Sequence, residues 1–367
     1  MATFYMPTRV FEEEGAVKNH GADMAAFGKK ALIVSGRHSA VACGAYDDIT
    51  AALEAHGAAH CLFNEVEENP STETIMRARD FGLDEGADFV IGVGGGSPLD
   101  ASKAIALMMA HPHDGIDYLY GGKDASALPV IAVPTTCGTG SEVTPVSVLT
   151  IKEKQTKKSI PFKLFPKLAL IDGAYLKSAS RSILCNTAFD ALTHLYESYI
   201  NVKATDYSRM CVDAGLKAWA KGQAVIRGEK DPDAADLLGM MRASTFAGMA
   251  IAQTSTTVPH GLSYPVTTKL GVPHGKATAY FTAGYLTEAD AADREYLLSG
   301  AGFASIDDFR AVYHNACGPI DADSATLNKV LEGAAKELAA NTAKTAAVPY
   351  PVDADVIKRI TFYEVEH

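Results

Sequence analysis

Asp190 and His194 stand four positions apart in Thr187-Ala188-Phe189-Asp190-Ala191-Leu192-Thr193-His194-Leu195-Tyr196-Glu197, a spacing that puts both side chains on one face of a helix. Phe189, Leu192, Leu195 and Tyr196 around them are apolar, so the helix is expected to be buried and its carboxylate to need a partner. Such a pair is also what a satisfied polar contact in a core helix looks like. Further on, Val258-Pro259-His260-Gly261-Leu262 and Val272-Pro273-His274-Gly275-Lys276 repeat Pro-His-Gly at an interval of 14 residues. Asp190, His194, His260 and His274 then make a candidate donor set of imidazoles and a carboxylate, suited to divalent Fe or Zn and too rich in nitrogen for Mg or Ca. A metal so held with one position open would polarise a carbonyl or stabilise an alkoxide. With 11 histidines in the chain, it is the duplicated setting, rather than histidine itself, that is informative.

A second group of residues is suited to phosphate. The apolar run Phe89–Val93 leads into Gly94-Gly95-Gly96-Ser97-Pro98-Leu99-Asp100 and then into the helical pattern Ala101–Ala110. Glycines let backbone approach a ligand closely, and the unpaired N–H groups at a helix start suit a diphosphate. A plain strand-to-helix turn would have the same appearance, and the dinucleotide fingerprint G-x-G-x-x-G with its later acid is not met. The hydroxyl-rich stretch from Pro134 through Thr135, Thr136, Thr139 and Thr144 follows another apolar run, Leu128–Val133. Ligands of open α/β sheets bind beyond the carboxyl ends of the strands, so two such loops point to one phosphorylated cofactor.

These residues need a scaffold. Lys30–Ser35, Phe89–Val93 and Leu128–Val133 read as buried parallel strands, separated by helical patterns such as Ala45–His56 and Ser71–Gly82, each expected to stop at a glycine, Gly57 or Gly82. After about Asp172 the Ala-, Leu- and Met-rich segments Ala188–Tyr199, Tyr207–Ala220, Ala234–Ala252, Asp307–Asn315 and Leu327–Ala340 have helical periodicity. The expected architecture is an N-terminal α/β dinucleotide-binding domain, residues 1–180, and an all-α C-terminal domain, residues 181–367.

Composition bounds the rest. The chain has 367 residues with 33 Lys and Arg against 44 Asp and Glu, a formal charge of −11, which excludes a dedicated nucleic-acid binder. Cys43, Cys61, Cys137, Cys185, Cys211 and Cys317 show no paired spacing, as expected of reduced thiols in a cytoplasmic protein. No signal sequence and no membrane span is expected.

Taken together, Gly94–Asp100, Thr135–Thr144, Asp190-Ala191-Leu192-Thr193-His194 and the pair His260 and His274 resemble the iron-containing (group III) alcohol dehydrogenases over nearly the whole chain. Phe4–Phe11, Asn64–Pro70 and Ser263–Thr268 look most like the 1,3-propanediol dehydrogenase-like branch. The resemblance implies a Rossmann-like domain followed by a helical one, the dehydroquinate synthase-like architecture, with Asp190, His194, His260 and His274 binding Fe(II), or Zn(II) in some relatives. It assigns Gly95, Gly96 and Ser97 to the cofactor diphosphate, Asn69 and Lys158 to ribose or phosphate, Thr135, Thr136 and Thr144 to the walls near the adenine and nicotinamide, and Asp100 and Thr139 to the cofactor site as well. Tyr264 stands where many relatives carry a proton-relaying histidine. Where NAD-preferring relatives place an Asp, this chain has Gly36, followed by Arg37, His38 and Ser39, a donor-rich run able to meet a 2′-phosphate. NADP(H) is therefore expected in preference to NAD(H).

The implied reaction is hydride transfer between NAD(P)(H) and a small primary alcohol or aldehyde, such as 1,3-propanediol with 3-hydroxypropanal or butanol with butanal. Alternatives on the same architecture are a phosphonoacetaldehyde reductase and a dehydroquinate-synthase-like lyase. A homodimer is implied, with no nucleic-acid or membrane partner.

Overall fold

The apolar runs of the N-terminal half are strands of one parallel sheet in a computed structural model that describes residues 2–154 and 156–367. The strands are β1 (Arg9–Glu12), β2 (Lys30–Ser35), β3 (Ala59–Phe63), β4 (Phe89–Gly94), β5 (Val130–Pro134), β6 (Val148–Ile151), β7 (Thr156–Ser159) and β8 (Leu168–Ile171). Six of them form the sheet in the order β1-β8-β5-β4-β2-β3, and β6 and β7 make a separate antiparallel hairpin. The central strands are apolar throughout because both faces are covered. Leu32, Val34 and Val90 join a core with Ile75 of α2 (Thr72–Asp84) and Ile105 and Met108 of α3 (Gly96–Ala110). Ala31, Ile33 and Ile91 alternate to the other face, against Ile49 and Leu53 of α1 (Ala45–Ala55), as the two-residue strand period requires.

One expected helix end moves. α2 runs through Gly82 to Asp84, and Gly86, at φ 67°, follows it instead. Gly82 serves close packing, since a Cβ there would stand 2.8 Å from Leu32 Cδ2 and from Met109 Cε.

This α/β unit comprises Met6–Thr136 and Gly140–Ala179, while Met1–Tyr5, Cys137–Thr139 and Ser180–His367 group as a second, helical unit. Within the latter, α4 (Arg181–Tyr199) is the axis: from Leu184 to Ser198 only Thr187 is not buried. The Ser180 side chain accepts from the Ile183 N–H and caps it, an interaction of about 1 kcal/mol. α5 (Asp206–Lys221), α6 (Ala234–Thr254) and α8 (His274–Tyr280) pack against α4, and α7 (Val258–Leu270) packs on α8 and on the helix Ser324–Ala339. Phe189 anchors α4 from one side, its ring edge-on to Trp219, Phe309 and Tyr313 at centroid distances of 5.7, 5.7 and 5.5 Å; such pairs are worth about 0.5–1.5 kcal/mol each beyond burial.

Candidate functional site

The helical unit gathers the donors that the sequence singles out. One ligand atom from each of Asp190, His260 and His274 lies within 4.8 Å of the other two. Asp190 faces away from solvent on α4, His260 stands in the first turn of α7 and His274 opens α8. Gly275 lets α8 approach: a Cβ there would lie 2.0 Å from the Asn186 carbonyl oxygen and 2.8 Å from Asp190 Cβ. Thr278 Oγ1, one turn further along α8, donates to Asp190 Oδ1 at 3.1 Å. His260 Nε2 is buried with no hydrogen-bond partner among the described residues, 3.7 Å from Asp190 Oδ1.

His194 lies beside this group rather than within it. Its ring stacks on that of His260 with centroids 4.4 Å apart, and its Nδ1 donates to the Gly138 carbonyl at 3.3 Å. The Tyr264 ring lies parallel to that of His274 at 6.0 Å.

Electrostatics keep the cluster ready to bind a cation. Burial works to raise the Asp190 carboxyl, but the charges of His194, His274 and His260 outweigh it and hold the pKa below the usual value. Burial pushes His194 down to about 4, against the pull of Asp190, so its ring is neutral near pH 7. A neutral His194 ring and an ionised Asp190 carboxylate have no proton to shed before ligating. A buried lone pair without a partner, beside an anionic oxygen, fits a divalent Fe or Zn ion.

The α/β unit forms the second group. In the sheet Ser35 pairs with Val93 and Gly94 with Pro134, so the carboxyl ends of β2, β4 and β5 lie side by side. The chain runs from β2 outward to β3 and returns to β4 on the other flank of β2, which makes the β2/β4 boundary the topological switch point where such sheets bind ligands. Gly36–Ser39 and Gly95–Ser97 follow those two strands. Gly94 has φ 145°, a conformation that favours glycine. Gly95 caps α3 without a side-chain hydrogen bond, leaving its first N–H groups to a ligand. A Cβ on Gly95 would come 3.1 Å from Thr136 Oγ1, and the Thr135 hydroxyl is buried with no hydrogen-bond partner among the described residues.

Comparison with known proteins gives the family. Residues 7–173 match the iron-containing alcohol dehydrogenase family, and residues 184–296 its C-terminal part. Long-chain-alcohol dehydrogenase 1 of Geobacillus thermodenitrificans is 30% identical over 284 residues, 75% of this chain and 71% of that one. The chain belongs to the iron-containing alcohol dehydrogenase family. Lactaldehyde reductase of Escherichia coli is 31% identical over 258 residues, 68% of this chain and 66% of that one. An iron-containing alcohol dehydrogenase of Thermotoga maritima, a solved structure, is 32% identical with a TM-score of 0.88, covering 100% of both chains. Metal-dependent alcohol dehydrogenation is therefore its reaction class, and the Rossmann-like sheet with a helical second unit is its fold.

Three residues expected at the cofactor site, Lys158, Asp100 and Thr139, have the following surroundings. Lys158 does not reach Asn69. Its ammonium lies over the Tyr120 ring at 5.2 Å, whereas Lys157 Nζ donates to Asn69 Oδ1 at 2.8 Å, because neighbours on β7 point to opposite faces. Asn69, at φ 58°, also donates its N–H to Ser97 Oγ at 3.1 Å. Asp100 is occupied internally: Oδ1 accepts from Ser141 Oγ and Oδ2 from the Val148 N–H. The fully buried Lys103 completes that lock, donating to Ser141 Oγ at 2.7 Å and Val146 O at 2.8 Å and facing Thr144 Oγ1 at 3.5 Å. Thr139 falls in Cys137–Thr139, the short segment that groups with the helical unit.

Two site residues escape the sequence reading. Glu197 is fully buried, with Oε1 accepting from Thr257 N–H at 2.8 Å, Thr257 Oγ1 at 3.0 Å and His260 N–H at 3.3 Å, and with Oε2 against His260 Nδ1. Burial would raise its carboxyl, but the His260 charge and hydrogen bond overcome that and bring it down to about 2. Its signal was present, since Asp190, His194 and Glu197 follow the i, i+4, i+7 spacing of one helix face. Thr278, four residues after His274, is the other.

Proposed function

We propose that this chain reduces a small aldehyde to its primary alcohol, reversibly, preferring NADP(H) to NAD(H), with Asp190, His194, His260 and His274 holding Fe(II), or Zn(II) in its place. The observation that carries the reading is the convergence of buried Asp190 and His260 with half-buried His274 around a His260 nitrogen that has no hydrogen-bond partner among the described residues. The bound metal supplies Lewis acidity toward the substrate oxygen and the nicotinamide supplies the hydride.

The chain's own residues do the rest. Asp190, held ionised and oriented by Thr278, provides the anionic ligand. His194, fixed in orientation by Gly138, provides the fourth donor from its remaining nitrogen. The N-terminus of α3 and Ser97 receive the diphosphate, Asn69 and Lys157 the ribose or a phosphate oxygen, and Thr135, Thr136 and Thr144 form walls of the cofactor site. Arg37 and Ser39, exposed after β2, bind a 2′-phosphate together with His38. Tyr264 stands as hydrogen-bond donor near the substrate oxygen. The small-aldehyde assignment draws on the lactaldehyde reductase similarity and on the 1,3-propanediol-like sequence motifs, with 3-hydroxypropanal and butanal as candidates. No observation favours a phosphonoacetaldehyde reductase or a lyase.

All six cysteines are free, which supports a cytoplasmic setting, and no described helix is long and apolar enough to cross a membrane. A homodimer completes the proposal. The test is an anaerobic assay of metal-free protein reconstituted with Fe(II) or Zn(II), following NADPH and NADH oxidation with each aldehyde. Metal-dependent turnover that is faster with NADPH supports the reading; no turnover with either metal refutes it.

A further inference from the structure

We propose that Glu197 is the positioning residue of the metal centre, holding His260 as the Nδ1–H tautomer so that its Nε2 lone pair faces Asp190 and is available to a divalent Fe or Zn ion. The inference deepens the metal-centre reading above and rests on it.

An ionised carboxylate can only accept hydrogen bonds. Oε1 of Glu197 already accepts from the Thr257 N–H, the Thr257 hydroxyl and the His260 N–H, and Oε2 meets His260 Nδ1. The proton on that contact therefore belongs to Nδ1. An imidazole that ligates a metal keeps at most one ring proton, so a proton held on Nδ1 leaves the lone pair on Nε2. The surroundings of Nε2 agree: it is buried, has no hydrogen-bond partner among the described residues, and lies 3.7 Å from Asp190 Oδ1, too far for a hydrogen bond. Two acceptors facing each other in a buried site are the arrangement that a shared cation stabilises. The same carboxylate closes the first N–H groups of α7, where Thr257 provides no side-chain cap of its own, so one residue sets both the seat of the histidine and its tautomer. Partners of this kind typically change metal affinity by ~10–100-fold when altered.

Glu197→Gln separates the two roles. Glutamine keeps the length and, with its carbonyl toward Thr257, keeps the α7 cap, but it then presents an N–H donor to Nδ1 and forces the proton to Nε2. Glu197→Asp is shorter yet remains an acceptor-only anion. If Glu197 merely fills space and caps α7, Gln should behave more like wild type than Asp does. If it sets the tautomer, the order reverses.

The measurement uses the full chain, metal-free and labelled with 15N-histidine, with the His260 resonances identified from a His260→Gln variant. Wild type and Glu197→Asp are expected to show the Nδ1–H pattern and Glu197→Gln the Nε2–H pattern. Competition with a chromophoric chelator should then show Zn(II) and Fe(II) binding weakened ~10–100-fold in Glu197→Gln and less in Glu197→Asp. Removing the charge leaves half-buried Lys344, which donates to the Thr256 carbonyl at 3.0 Å, without a nearby counter-charge from Glu197. Should Glu197→Gln fail to fold, the Glu197→Gln/Lys344→Met pair serves in its place. An unchanged tautomer, or wild-type metal affinity in the Gln variant, overturns the proposal. If wild type binds neither ion, the metal-centre reading fails on its own account, while the tautomer comparison still decides the role of Glu197.

Discussion

Gly275 and Asn186 approach so closely that any Cβ on the glycine would stand 2.0 Å from the asparagine carbonyl oxygen. The obstacle is backbone, so α8 must move away from α4 if the glycine is replaced, and His274 and Thr278 move with it. Gly275→Ala is expected to destabilise the protein by ~1–3 kcal/mol, in the range of overpacked cores, and to weaken metal binding at least tenfold. Thermal unfolding and metal titration check both, and a variant with unchanged metal affinity would show that the approach of α8 does not set the ligand geometry.

The two adjacent lysines of β7 should separate in kinetics. Lys157 reaches Asn69 and Lys158 lies over Tyr120, so Lys157→Ala should raise the cofactor KM by about tenfold, the effect of losing one charge-assisted hydrogen bond. Lys158→Ala should change it less than twofold. Equal effects would mean that the Asn69 contact plays no part in cofactor binding.

Cofactor choice should turn on Gly36. Its φ is not in the left-handed region and a Cβ would meet the Val66 carbonyl at 3.4 Å, so the backbone there accepts a side chain. Gly36→Asp brings a negative charge beside Arg37 and His38, and should reverse the preference from NADPH toward NADH by ~10–100-fold in kcat/KM, because a repelled phosphate is a strong discriminator. The ratio of the two constants, measured side by side, is the readout, and an unmoved ratio would place the 2′-position elsewhere.

Acid stability offers a test away from the site. Glu364, on the helix Ala354–Glu366, meets Arg310 at 3.0 Å and His314 at 2.7 Å. Burial works to raise its carboxyl, yet His314 and Arg310 outweigh it and hold the pKa below the ordinary 4.5. With the folded pKa below the unfolded one, the stabilisation is complete above about pH 4.5 and is lost as the pH falls through the folded value. The melting-temperature gap between wild type and Glu364→Gln should therefore narrow as the pH falls below about 4.5. A gap that stays constant or widens on acidification would mean that Glu364 is not held ionised by these partners.

The sequence made some features plain and hid others for physical reasons. β2, β4 and β5 were legible because both of their faces are buried, so the chain spells uninterrupted apolar runs. β7, Thr-Lys-Lys-Ser, was not, since a two-stranded hairpin with little buried surface needs no apolar pattern. β3 carries a histidine and is largely half-exposed at the sheet edge, and it was missed for the same reason. Gly82 reads as a helix stop and is instead a packing contact, a distinction that depends on Leu32, 50 residues earlier. Asp190, His260 and His274 announced themselves by spacing and by the repeated Pro-His-Gly. Glu197 shares their helix face, but its partners lie 60 and 63 residues away at Thr257 and His260, and no local pattern encodes that. The choice between Lys157 and Lys158 is a matter of strand register, which a single residue decides.

Cys137–Thr139 leaves the α/β unit for three residues, and there Gly138 both accepts from His194 and lies so close to Thr187 that a Cβ would stand 2.9 Å from the threonine Cβ. The helical unit is therefore not a contiguous stretch of gene. A chimera joined at Ala179 and Ser180 would set a foreign loop against α4, and the orientation of His194 would then depend on a glycine inherited from the other parent. Exchange of modules between relatives is constrained accordingly: a transplanted helical half carries its His194 geometry with it only if this tripeptide travels too.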